Sequence, residues 1–135
     1  MKNKILIVVS DYYEEVKKNL IDGSTNFLNQ NNFDYDIINS PGCFEIPYLI
    51  KKNINNYIGF IALGCVIKGE TYHFELIANE CARKIMDLSV DMEKPIGFGI
   101  LTCQTIDQAI TRSDPFKKNK GKEAASACID LLNII

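Results

Sequence analysis

The sequence is poor in the features that mark metal, disulfide and targeting devices. It holds one histidine, His73, and its cysteines Cys43, Cys65, Cys81, Cys103 and Cys128 stand singly and are odd in number. No C-x-x-C pair occurs, so neither a zinc site nor a disulfide framework is indicated. Buried thiols in a reducing cytoplasm are the plain reading. An excess of basic charge is lacking too: 15 Lys and Arg against 17 Asp and Glu leave a formal net charge of −2. Nucleic-acid and membrane-surface proteins need a basic face, so neither partner is expected. After "MKNK" only about five apolar residues precede Asp11, too few for a signal-peptide core or a membrane span. There is no internal repeat, no linker and no glycine-rich dinucleotide fingerprint. "GCVIKGET" lacks the closing G-K-[ST] of a P-loop.

What is present is an ordinary globular composition. The chain has 135 residues, 47% of them hydrophobic and 24% charged. That suits one domain with a core that needs no staples. Apolar runs at 5–9, 57–66 and 96–101, with a weaker alternating one at 35–38, predict strands buried on both faces. Helical stripes lie between and after them: Val16, Leu20 and Phe27; then Phe74, Ile77, Ala78, Cys81, Ile85 and Leu88; then Ala124, Ala125, Cys128, Leu131, Leu132 and Ile135. Strand and helix alternate, so a parallel sheet covered by helices on both faces is expected. The asparagine-rich "NFLNQNNFDYD" reads as a polar connection, and Pro115 and Gly121 mark a break before the last helix.

Ligands of such sheets bind beyond the carboxyl ends of the strands. Four segments fall there: "SDYY" (10–13), "SPGCFE" (40–45), "GCVIKGETYH" (64–73) and "TCQT" (102–105). In the third, Thr71 is the expected N-cap of a helix whose free amides suit a phosphate. His73 then stands in the first turn, beside whatever binds there. A surface histidine in a capped turn is the ordinary alternative. Glu45, at the start of a short helical segment bounded by Pro47, can accept hydrogen bonds from ligand hydroxyls, although acidic residues are common in first turns. Tyr12 can stack on a planar heterocycle or simply rim the core. Phe98 is by default core. Arg112 and Lys120 suit phosphate contacts, or solvent alone.

Taken together, "SPGCFEIP", "ALGCVIKGETYHFELIANE", "PIGFGILTCQTIDQAITRSD" and "NKGKEAA" resemble the lumazine synthase family, from about Lys4 to the end of the chain. The P-G-x-F-E and G-x-V-I-x-G-E-T-x-H segments, in this order, are highly specific. The resemblance implies a flavodoxin-like three-layer α/β/α sandwich with a four-stranded parallel sheet in the order 2-1-3-4. It implies condensation of 5-amino-6-(D-ribitylamino)uracil with 3,4-dihydroxy-2-butanone 4-phosphate, the penultimate step of riboflavin biosynthesis, with no metal or redox cofactor. Carried over by position, Tyr12 stacks on the pyrimidine ring and Cys43 and Phe44 line the pocket. Glu45 binds ribityl hydroxyls, and the backbone of Cys65, Val66 and Ile67 meets the heterocycle. Glu70, Thr71 and Arg112 hold the phosphate, with Lys120 nearby. His73 transfers protons, and a neighbouring subunit supplies Phe98.

The implied assembly is a homo-oligomer, a pentamer with shared active sites. Family members commonly carry about ten further residues that add an edge strand to a neighbour's sheet, so this sheet is expected to have four strands and a less covered edge. "SDPFKKNKG" replaces a glycine-containing loop that bears on whether pentamers build into a sixty-subunit shell. Two other readings compete: an archaeal-type riboflavin synthase, and a non-catalytic flavin-binding or shell-forming relative. The phosphate turn and Glu45 speak against the first, and the presence of His73 and Arg112 against the second.

Overall fold

Six consecutive apolar or small residues, Ile5–Ser10, can be buried throughout only if both faces of their strand are covered. The computed structural model, which describes residues 3–134, shows how this is met. Strand β1 (Ile5–Ser10) lies inside a parallel sheet between β2 (Tyr35–Ser40) and β3 (Gly59–Ile67), and β4 (Ile96–Cys103) completes the order β2-β1-β3-β4. Val9 pairs with Asn39 on one side and Leu63 on the other, and Ile67 pairs with Cys103. This is the flavodoxin-like α/β/α architecture expected from the sequence. Ile135 of the C-terminal stripe, and Met1 and Lys2 of the basic start, lie outside the described residues.

Because side chains alternate along a strand, each face collects every second residue. Ile5, Ile7 and Val9, with Ile61, Leu63 and Leu101, pack against α1 (Glu14–Gln30), α4 (Ile106–Ser113) and α5 (Lys120–Asn133). Leu6, Val8, Phe60, Ala62 and Ile100 pack against α2 (Ile46–Lys52) and α3 (His73–Met92). Val16, Leu20 and Phe27 of α1, Ile77, Cys81, Ile85 and Leu88 of α3, and Ala124, Ala125, Cys128 and Leu132 of α5 face these two cores, whereas Leu131 turns outward and is 47% exposed.

Several boundaries differ from the sequence-based expectation. The asparagine-rich stretch is helical as far as Gln30, because Phe27 and Leu28 pack on the core and carry α1 with them, leaving residues 31–34 as the connection. Pro47 does not bound the helical segment after Glu45. It sits in the first turn of α2, where a missing amide costs nothing. Helix α4 was not expected. It is opened by Thr105, whose hydroxyl accepts from the Gln108 amide at 3.2 Å. Phe98 is not core: on the edge strand β4 it is 45% exposed, while its neighbours on the same face, Ile96 and Ile100, are buried.

Candidate active site

Three strand ends build one cleft. The chain leaves β1 at Ser10 and enters α1 through Tyr13, whose φ of 56° puts a bulky residue in the left-handed region. Tyr12 and Tyr13 are thereby set side by side, their rings 6.4 Å apart. After β2, the Ser40 carbonyl accepts from the Asp11 amide at 3.0 Å, which ties the ends of β1 and β2 together. Its hydroxyl donates to the Gly42 carbonyl at 2.6 Å, and a short 3-10 turn, Cys43–Glu45, follows. A Cβ at Gly42 would stand 3.0 Å from Glu45 Oε1 and 3.5 Å from the Tyr12 ring, so both side chains close over this glycine.

The third wall is the end of β3 and the start of α3. Cys65, Val66 and Ile67 pass from buried to half-buried as the strand emerges. Thr71 is not the N-cap of α3. That position is Tyr72, which makes no side-chain cap, and the Thr71 hydroxyl accepts instead from the His73 amide at 3.3 Å. The rest of the first turn is left uncapped by side chains, which suits an anion. Lys68 and Glu75 flank this mouth with an Nζ–Oε1 separation of 3.9 Å.

The resulting cleft has a volume of about 650 Å³ and is lined by Tyr12, Tyr13, Pro41, Gly42, Cys43, Phe44, Glu45, Cys65, Val66, Ile67, His73 and Ile77. It unites eight of the residues expected from the sequence: Tyr12, Cys43, Phe44, Glu45, Cys65, Val66, Ile67 and His73. Glu70 and Thr71 stand in the exposed loop before α3 and line no wall of it. Phe98, Arg112 and Lys120 meet elsewhere, in a second depression of about 320 Å³ against β4 that also includes Thr102 and Glu123. No residue lines both. Arg112 Nη1 donates towards Cys103 Sγ at 3.8 Å, and Lys120 pairs with Glu123 at 3.2 Å.

Tyr13, Pro41, Gly42 and Ile77 line the cleft without having been named as site residues from the sequence. The doubled tyrosine after the first strand was a visible signal for Tyr13, but its left-handed backbone was not. Burial raises the Tyr13 phenol above its ordinary value, with Cys65, Cys43 and Tyr12 adding to the effect, so the hydroxyl is a donor at neutral pH. Among the described residues no group of three His, Cys, Asp or Glu side chains is placed to hold a metal ion, and no helix is long and apolar enough to cross a membrane.

All five cysteines are free and buried. Burial pushes the Cys65, Cys81 and Cys128 thiols from 9.0 up to about 12 and raises Cys43 as well. Cys81 also donates to the Cys43 carbonyl at 3.1 Å. These thiols stay protonated and are poor nucleophiles. We expect iodoacetamide at pH 8 to leave the native protein unmodified, as read by mass spectrometry, and to label five sites after unfolding in urea. Labelling of Cys43 or Cys65 in the native state would show that the cleft floor opens. Folding raises these acids, so their contribution to stability is complete below pH 9.0 and is lost as the pH climbs towards about 12.

Comparison with known proteins gives a consistent picture. A sequence profile described as 6,7-dimethyl-8-ribityllumazine synthase matches residues 2–135. A Bartonella tribocorum protein named 6,7-dimethyl-8-ribityllumazine synthase is 42% identical over 134 residues, covering 97% of this chain and 89% of its own length. A Zymomonas mobilis protein of the same name is 42% identical over 133 residues, covering 97% of this chain and 95% of its own. A third, from Ruthia magnifica, is 40% identical over 146 residues, covering 99% and 86%.

Proposed function

The chain belongs to the 6,7-dimethyl-8-ribityllumazine synthase family, and on that premise we propose that it condenses 5-amino-6-(D-ribitylamino)uracil with 3,4-dihydroxy-2-butanone 4-phosphate in the cleft between Tyr12, Glu45 and His73. It is an enzyme of riboflavin biosynthesis, a transferase. The observation that carries the residue-level reading is the convergence of an aromatic ring, a carboxylate and the chain's single imidazole from three separate strand ends. Their chemistry is complementary. Tyr12 stacks on the pyrimidine, Glu45 accepts from ribityl hydroxyls, and Cys43 and Phe44 fill the space between. The backbone of Cys65, Val66 and Ile67 meets the polar edge of the heterocycle.

In this reading the primary amine attacks the ketone and water leaves to give an imine. Phosphate is then eliminated, and the ribityl-bearing nitrogen closes the ring with loss of a second water. Each step moves protons, which suits one positioned acid/base, His73. The loop at Glu70 and Thr71 and the amides after His73 at the start of α3, which no side chain caps, face the phosphate in this reading and stabilise charge as it departs. Holding both reactants together supplies much of the remaining rate.

Arg112, Lys120 and Phe98 line a depression separate from that cleft, which supports an active site completed by a neighbouring copy. The assembly in this reading is a homo-oligomer, a pentamer, and the enzyme works in the cytoplasm, where its five free thiols persist. Mixing the two substrates with purified protein and following lumazine absorbance tests the reaction. A rate no faster than the spontaneous background sinks it, whether the protein instead dismutates lumazine or merely binds flavin. Arg112→Ala should raise KM for the phosphorylated substrate about tenfold, as expected for loss of a charge-assisted contact, with kcat and the other KM changed little. A loss confined to kcat would contradict that role.

A further inference from the structure

The guanidinium of Arg112 is held from behind. Its Nη1 donates towards Gln108 Oε1 at 3.5 Å, one turn earlier in α4, and towards Cys103 Sγ at 3.8 Å, at the last position of β4. Gln108 is itself anchored, because its Oε1 accepts from the backbone amide of Gln104 at 2.8 Å, while its own amide is capped by Thr105 at 3.2 Å. One carboxamide oxygen thus ties the strand end, the first turn of α4 and the arginine together. We propose that Gln108 is a positioning residue that fixes Arg112, with the Cys103 thiol as a second rest, so that anion binding at this depression depends on a side chain that need not touch the anion.

The physical reason lies in how arginine spends its donors. A guanidinium carries five N–H groups in a rigid plane, and a phosphate takes two of them best when they are presented as a parallel pair. Unheld, a long arginine side chain samples many rotamers and loses that freedom on binding, at a cost in affinity. Seating Nη1 on Gln108 and Cys103 settles part of this loss in advance. Among the described residues no other hydrogen bond is made by the guanidinium, so the remaining donors stay available to a ligand. Cys103 is 2% exposed and held in the core, whereas Gln108 is exposed and has the Gln104 amide as its anchor.

This inference rests on the phosphate role given to Arg112 above, and its test is arranged to separate the two. Gln108→Met keeps length and helix-forming tendency but deletes the acceptor. Inorganic phosphate is titrated calorimetrically into the assembled wild-type protein, Gln108→Met, Arg112→Ala and the double variant, and steady-state constants are measured for both substrates. Losing roughly one modest hydrogen bond, Gln108→Met should weaken phosphate and raise KM for the phosphorylated substrate about fivefold, with kcat and the other KM within about twofold. In the Arg112→Ala background the same change should do nothing further, since the two act as one unit. Additive losses in the double variant, or undiminished phosphate affinity in Gln108→Met, overturn the proposal. So does wild-type protein that binds no phosphate. A wild type that binds phosphate through Arg112 and Gln108 yet forms no lumazine overturns the synthase reading and leaves the positioning intact.

Discussion

His73→Ala should lower kcat about 100-fold and leave KM for both substrates within about twofold, the pattern expected when a general acid/base is removed without disturbing binding. The chain contains no other imidazole to take its place. His73 is the first residue of α3, its amide held by the Thr71 hydroxyl at 3.3 Å, so an alanine there preserves the helix start and the open amides of its first turn. In the proposed reading, stacking on Tyr12 and acceptance by Glu45 should persist, as should the proximity of the two reactants, which would account for a residual rate. Steady-state kinetics with each substrate varied in turn checks this. Equal losses in kcat and in the affinity for both substrates would mean that His73 shapes the pocket rather than moving protons.

Gly97→Ala should destabilise the fold by about 3 kcal/mol, the upper end of what overpacking costs, measured by urea denaturation. Strand β4 and helix α5 approach so closely that a Cβ on Gly97 would overlap the Ala124 carbonyl oxygen, which is backbone and cannot rotate away. Relief requires α5 to lift from the sheet. That would also draw Lys120 from the depression it shares with Phe98 and Arg112, so phosphate affinity should fall along with stability. A loss below about 1 kcal/mol would show that α5 is free to shift without cost.

Much of the fold was legible because its causes are local. "ILIVV" fits a strand covered on both faces, and the spacing of Cys81, Ile85 and Leu88 buries one side of a helix. The family resemblance, carried by "GCVIKGETYH" and its companions, pointed to His73, Glu45 and Tyr12, and these do share a cleft. Helix α4 was missed because it is short and amphipathic with few apolar residues. Its T-x-x-Q opening at Thr105 and Gln108 was the available sign.

The order and character of the segments were therefore the sequence's own to determine, since burial of an apolar run and the period of a stripe depend on neighbours along the chain. Which residues finally meet was decided in three dimensions. The left-handed turn at Tyr13 brings a second phenol to the cleft, and the edge position of β4 leaves Phe98 exposed where an apolar run suggested core. The same edge gathers Phe98 with Arg112 and Lys120 away from His73. Such placements arise from strand order and from helices packed against a twisted sheet, and these couple residues far apart in the chain that no local pattern connects.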